Sequence, residues 1–264
     1  MYKQTLIDAT NAGAKELKRF FHGKFMISHK EGINNLVTEA DHASDKAIHE
    51  IIKSAFPNDG IISEESLEVT SKSDYVWIVD PIDGTVNFAN GIPLCCVSIG
   101  IQYKGSMLMG AVYNPIMDEF YFAEKGKGAT LNGTQISVSD KTEVTTSCLV
   151  TGFPYRYLDK PNGPLEVFEK LIKGGIPVRR LGSAAMDLCW VAAGRFDGFY
   201  EHELHAWDSA AGFLIVEEAG GRVTDMQGDL YSPFQPGIIA TNGKIHEELQ
   251  KIIAGAPLQD PVIL

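Results

Sequence analysis

Cysteine is scarce in this chain of 264 residues, and the four present, Cys95, Cys96, Cys148 and Cys189, make no C-x-x-C pair and no zinc-ligand spacing. That argues against a disulfide scaffold, a zinc module or a thioredoxin-like redox motif, and is the usage of reduced, structural thiols in a cytoplasmic protein. Cations are also few: 23 Lys and Arg stand against 34 Asp and Glu, a formal charge of −11. Nucleic acids are bound through clustered cations, so no nucleic-acid partner is expected. No apolar run approaches the ~20 residues of a membrane span, so no membrane association is expected either. Residues 1–21 carry Lys3, Asp8, Lys15, Glu16, Lys18 and Arg19 and therefore lack the apolar core of a signal peptide. Repeats, low-complexity tracts and long linkers are missing too. The acidity does not exclude a small phosphorylated substrate, because a bound divalent cation reverses the local sign of charge.

What the chain does have is 44% hydrophobic residues, ample core for one large domain or two fused halves. Its central stretch is Val76-Trp77-Ile78-Val79-Asp80-Pro81-Ile82-Asp83-Gly84-Thr85-Val86-Asn87-Phe88. Val76 to Val79 read as a short buried strand, with Asp80 at its end and Pro81 stopping the ladder for want of a backbone donor. Asp83 follows at i+3, where both carboxylates can converge on one cation. Gly84 and Thr85 open a helix whose free N–H groups suit a phosphate. Two hard oxygen ligands beside an anion cradle are the parts that metal-assisted phosphate chemistry needs. Taken singly, these residues are also turn vocabulary, with Asp83 an N-cap. Gly126-Lys127-Gly128-Ala129-Thr130 lacks the GK[ST] ending of a phosphate loop and reads as a hairpin turn.

Asp80-Pro81-Ile82-Asp83-Gly84-Thr85 with Asn87-Phe88, Glu64-Glu65-Ser66 upstream, and Trp207-Asp208-Ser209-Ala210-Ala211-Gly212 downstream resemble the signature blocks of the inositol monophosphatase family. Their order and spacing extend the resemblance over nearly the whole chain. It implies a Mg²⁺-dependent phosphomonoesterase acting on a small phosphorylated metabolite through a metal-activated water. Mg²⁺ would be held at two or three positions per site, with Mn²⁺ as a substitute and Li⁺ and Ca²⁺ as inhibitors. The expected metal ligands are Glu64, Asp80, the Ile82 carbonyl, Asp83 and Asp208. Glu64, Thr85 and Asp41 are the expected catalytic residues. Gly84, Thr85, Gly182, Ser183, Ala184, Glu201 and Asp208 are expected to contact substrate, with Lys30 behind the metals. A cytoplasmic homodimer is also implied. Thr85-Val86-Asn87-Phe88 resembles the inositol branch; fructose 1,6-bisphosphate and nucleotide 2′- or 3′-phosphates are the alternative substrates. A catalytically silent metal- or anion-binding regulator is the alternative of another class.

Several of these residues have plainer readings of their own. Asp41 reads as an N-cap or first-turn acid, Lys30 and Glu201 as solvated charges, and Asp208 as an acid on a helix dipole. Of Glu64 and Glu65, adjacent at a strand end, only one can face the site, and the resemblance selects Glu64. His202 and His205 look like a metal pair but have no place among hard carboxylate ligands.

The remaining pattern is read in two halves, residues 1–146 and 147–264. Leu6, Ala9, Gly13, Leu17 and Phe20 give a first amphipathic helix, and Ala47, Ile48, Ile51, Ile52 and Ala55 the inner stripe of a second. Antiparallel strands are expected at 94–103, 106–114 and 119–123. Strands and helices alternate after residue 147, ending in a helix at 207–219 with Trp207, Ala210, Ala211, Leu214 and Ile215 on one face, two strands and a helix at 245–253. Runs of strands followed by alternation imply an α+β or α/β layered fold, and the resemblance implies a five-layer αβαβα sandwich of the inositol monophosphatase and fructose-1,6-bisphosphatase type.

Overall fold

Leu6, Ala9, Gly13 and Leu17 form the buried stripe of α1 (Tyr2–Phe20) in a computed structural model that describes residues 1–23, 26–29, 36–154 and 163–255. A two-stranded ribbon, β1 (Ile27–His29) and β2 (Leu36–Thr38), leads into α2 (Glu39–Ala55), which packs along α1. Next come β3 (Gly60–Ser63), β4 (Tyr75–Asp83), a five-residue helix α3 (Thr85–Ala89), β5 (Cys96–Tyr103), β6 (Ser106–Asn114), β7 (Glu119–Glu124), β8 (Ala129–Leu131) and β9 (Thr134–Gln135). These strands form one seven-stranded sheet in chain order, parallel between β3 and β4 and antiparallel elsewhere.

The rest of the chain builds a second sheet: β10 (Leu149–Thr151), α4 (Pro164–Lys173), β11 (Val178–Arg179), α5 (Ala184–Ala192), β12 (Gly198–Glu201), α6 (Ala206–Glu218), β13 (Arg222–Thr224), β14 (Ile238–Thr241) and α7 (His246–Ile253). Its strand order is β11-β10-β12-β14-β13, with β11, β10 and β12 parallel and the last two pairs antiparallel.

Side-chain alternation decides the layers. In β4, Trp77 and Val79 face one way and join Leu6, Leu17, Ile48 and Ile52 of α1 and α2, while Ile78 faces the other way, toward α5 and α6. Cys95 and Cys96 divide in the same manner, one thiol in each core. The inner core joins Val112 and Tyr121 of the first sheet through Leu188, Ala210 and Leu214 to Phe199 and Ala240 of the second. Leu171 of α4 and Leu249 of α7 cover the far face against Leu149 and Ile239. Helices, sheet, helices, sheet, helices is the expected αβαβα sandwich.

Three details differ from expectation. β4 does not stop at Pro81: pairing with β5 runs through Asp80 opposite Ser98, skips Pro81 and Ile82 in a bulge, and resumes with Asp83 opposite Cys96. A bulge absorbs the donorless proline without ending the strand. The apolar stripe of α6 is no stripe, since every residue from Ser209 to Val216 is buried between two sheets. That burial demands small neighbours, and a Cβ on Gly110 of β6 would lie 2.8 Å from the Ala211 carbonyl oxygen. In α2, Ile48 and Ile52 are buried as expected and Ile51 packs half-buried against the same core, but Asp41, Ser44, Asp45 and His49 are buried with them where Ala47 and Ala55 are only half-buried.

Candidate active site

The bulge in β4 sets the site. Asp80, 1% exposed, accepts the N–H of Ile82 at 3.0 Å, which folds the strand back on itself. Asp83 then leaves the other side of the bulge and accepts the Ser183 hydroxyl and the Ala185 N–H, each at 2.7 Å. Gly84 follows at φ +89, and a Cβ there would sit 2.8 Å from the Leu94 carbonyl oxygen, so only glycine makes this turn. Asn87 fixes the turn from below by donating at 2.8 Å to the carbonyls of Leu94 and Leu181, which ties α3 to the chain before Gly182.

Behind the turn, the two oxygens of Asp41 divide their duties. Oδ2 accepts the Thr38 N–H at 2.7 Å and the Thr38 hydroxyl at 2.6 Å, closing a capping box at the start of α2. Oδ1 lies 3.2 Å from Thr85 Oγ1, which is also 3.0 Å from the Ile82 carbonyl oxygen. The N-cap of α2 is Thr38, so Asp41 is not the cap but the first-turn acid that answers it, and it is the partner of Thr85 as well.

A cavity of about 590 Å³ opens in front of these groups. Glu64, Asp80, Ile82, Asp83, Gly84 and Thr85 line it from the first sheet, and Gly182, Ser183, Ala184, Glu201 and Asp208 from the second. Every expected ligand and substrate contact is on that wall; Asp41 is fully buried behind it, and Glu65 is not among the lining residues. Lys30 lies outside the described residues. Asp208 sits in the first turn of α6, its Oδ2 accepting the His205 N–H at 2.6 Å, while the His205 ring stacks on Trp207. The Ser183 hydroxyl, expected to meet substrate, is turned to Asp83. The carboxylate of Glu201 packs directly over Gly152, where no side chain fits.

Sequence reasoning passed over Asp187. It is 1% exposed, lines the cavity, and its Oδ1 has no hydrogen-bond partner among the described residues. The available signal was a lone acid within the otherwise apolar Ala184 to Ala192 run. Arg180 and Phe153, which stack loosely at 5.9 Å, were also passed over on the cavity lining.

Burial and mutual repulsion dominate the electrostatics. Burial first, then Glu64, Asp83, Asp208 and Asp41, hold the Asp80 carboxyl well above the usual carboxylate range. Asp83 is pushed up to about 7 by burial and by Asp208, against the pull of its bonds from Ser183 and Ala185. Burial raises Glu201 and Asp187 as well, with Arg180 opposing the rise at Glu201. Among the described residues no three carboxylate, imidazole or thiol groups are drawn close enough to form a finished coordination shell. The donor set nonetheless fits a hard divalent cation: Glu64, Asp80, Asp83 and Asp208 line one wall, and burial together with their neighbouring charges raises Asp80 and Asp83.

The layered fold that frames this acidic cleft is shared with solved structures of inositol monophosphatases. The family model described as the inositol monophosphatase family matches residues 2–257. The chain belongs to that family, whose members are generally metal-dependent. It is 42% identical over 246 residues to a protein named Nus factor SuhB from Haemophilus influenzae, covering 92% of each chain. It is 40% identical over 254 residues to an inositol-1-monophosphatase from Synechocystis, covering 95% of this chain and 88% of that one. The crystal structure of the extragenic suppressor protein suhB from Bartonella henselae superposes with a TM-score of 0.89 at 35% identity, over 97% of this chain and 99% of that one.

Proposed function

We propose that the protein is a Mg²⁺-dependent phosphomonoesterase and that inositol monophosphate is the substrate its site suits best. The observation that carries the reading is the convergence of Glu64, Asp80, Asp83 and Asp208 on one cavity wall beside the Gly84 turn, with Thr85 bonded to Asp41. Glu64, Asp80 and the Ile82 carbonyl would hold one Mg²⁺, and Asp80, Asp83 and Asp208 a second. When bound, these ions lower the pKa of a coordinated water and offset charge on the phosphate. The chain's own groups do the rest. Thr85 passes its hydroxyl proton toward Asp41 and is left free to accept one from the attacking water, which Glu64 orients. The N–H groups of Gly84 and Thr85 hold phosphoryl oxygens through in-line displacement. Glu201 accepts hydrogen bonds from hydroxyls of the departing alcohol. Asp83, held by Ser183 and Ala185, joins the metal side of the site to the substrate side.

The test is phosphate release from inositol 1-phosphate, fructose 1,6-bisphosphate, NADP and adenosine 3′,5′-bisphosphate, with and without Mg²⁺. Mg²⁺-dependent turnover lost in Asp80→Asn supports the phosphatase, and the highest kcat/KM in the panel names the substrate. No turnover on any of them would refute it. A second reading rests on the relatives named Nus factor SuhB: a Nus-factor-like role as a binding partner, which would survive Asp80→Asn. Sedimentation of the purified protein tests the proposed homodimer.

A further inference from the structure

One helix reaches every catalytic segment of the first half. Along α2, Asp41, Ser44, Asp45 and His49 are 0%, 0%, 8% and 8% exposed and follow the i, i+3, i+4, i+8 spacing of a single face. Each is bonded to a different piece of the site. Asp41 takes Thr85. The Ser44 hydroxyl donates to the Pro81 carbonyl at 2.9 Å, holding the crest of the β4 bulge. The Ser63 hydroxyl donates to Asp45 Oδ1 at 2.5 Å, and Ser66 Oγ lies 3.2 Å from His49 Nε2. His49 Nε2 is in turn 3.5 Å from Asp45 Oδ1, so Ser63, Asp45, His49 and Ser66 form one continuous polar chain.

That chain brackets Glu64. The ladder between β3 and β4 ends at Ser63 opposite Val79, one residue before the glutamate. Past that point the Glu64 N–H still reaches the Val79 carbonyl at 3.2 Å, but the turn that follows has left the sheet. Its two flanking hydroxyls are gripped from below by α2, one residue before Glu64 and two after it. A surface serine pair would leave the side chain to swing with the loop; buried partners do not.

We infer that Asp45 and His49 are positioning residues for Glu64, an inference that rests on the metal-dependent phosphatase reading. Through Ser63 and Ser66 they fix the chain on either side of Glu64, as the outer partners of metal ligands do elsewhere. The apolar face of the helix supplies stability and the polar face supplies aim.

The experiment measures Mg²⁺ binding to metal-free protein by calorimetry, with kcat and KM for p-nitrophenyl phosphate alongside. His49→Ala and Asp45→Ala are expected to weaken Mg²⁺ binding and lower kcat by about 10- to 100-fold, the usual cost of losing an outer partner. KM should stay nearly constant, and His49→Gln, which keeps a polar atom toward Ser66, should restore most of the loss. Ser66→Ala removes the same contact from the loop side, without touching the interior of α2, should His49→Ala fold poorly. Variants that melt earlier yet keep wild-type Mg²⁺ affinity and kcat would overturn the inference, since α2 would then serve stability alone. A wild-type protein that takes up no Mg²⁺ would overturn the phosphatase reading together with it.

Discussion

Protons and Mg²⁺ compete for the same carboxylates, and the competition can be read in a melting curve. Asp83 rises from 3.8 to about 7, roughly three pKa units, or on the order of 4 kcal/mol between its protonated and ionised forms. Because the folded value lies above the unfolded one, this stabilisation is complete below the unfolded pKa and disappears as pH climbs through about 7 without a cation. His246 acts in the opposite direction. Burial and Arg222 pull it down to about 4, so its contribution is present above the unfolded value of 6.5 and is lost as pH falls through the folded one. His246 is not among the residues lining the cavity, so its share is the same with and without Mg²⁺ and cancels in the difference. The quantity to measure is therefore the Mg²⁺-induced increment in Tm, by scanning calorimetry or dye fluorescence. Below neutral pH the ion assigned to Asp83 must displace a proton from it, and its apparent affinity falls by up to tenfold per pH unit. Two units cost about 2.7 kcal/mol of ligand-derived stabilisation, or roughly 5–10 °C in a chain of this size. The increment should thus be large near pH 7 to 8 and shrink by that amount two units lower. An increment that is flat with pH, or that grows on acidification, would refute both the ligand assignment and the charge argument behind it.

Thr85→Ala removes a hydroxyl without removing a proposed ligand, so the Mg²⁺ increment in Tm should survive while kcat falls about 10²-fold in a steady-state assay, the scale of general-base assistance. Glu201→Gln should lower kcat/KM for inositol 1-phosphate by about 10- to 100-fold and leave p-nitrophenyl phosphate nearly untouched, since charge-assisted hydrogen bonds to hydroxyls are worth roughly 1.5–3 kcal/mol. Equal losses on both substrates would move Glu201 to the metal side of the site. Asp187→Leu removes a buried carboxyl with an unpartnered oxygen, and should raise the Tm of the metal-free protein at neutral pH by a few degrees; a lower Tm would mean that Asp187 holds structure.

Much of the site was readable because its parts are local. Asp80, Asp83, Gly84 and Thr85 lie within six residues, and the turn they make depends on a proline and a glycine whose backbone preferences belong to the residues themselves. Helix α4 is local in the same sense, with Pro164 at its first turn and Val167 and Leu171 one turn apart on its buried side. What stayed hidden was decided by partners far along the chain. The bulge at Pro81 needs β5 opposite to count as a bulge. Ser44, Asp45 and His49 look like solvated helix positions until residues 63, 66 and 81 arrive to satisfy them. The all-round burial of α6 follows from lying between two sheets, which periodicity within the helix cannot reveal.

The adjacent thiols of Cys95 and Cys96 carry a consequence for how the molecule comes apart. Cys95 belongs to the core beneath α1 and α2, and Cys96 to the core around α5 and α6. Both are fully buried, and burial lifts the Cys95 thiol to about 12 and pushes Cys96 well above the usual thiol range, so neither reacts with an alkylating reagent while its layer stays shut. Modification of each therefore clocks a separate event: release of the outer helix pair for one, parting of the two sheets for the other. Neighbours in sequence by a single peptide bond, they record opposite sides of the same sheet, and the order in which mass spectrometry finds them labelled in mild denaturant is the order in which the sandwich opens.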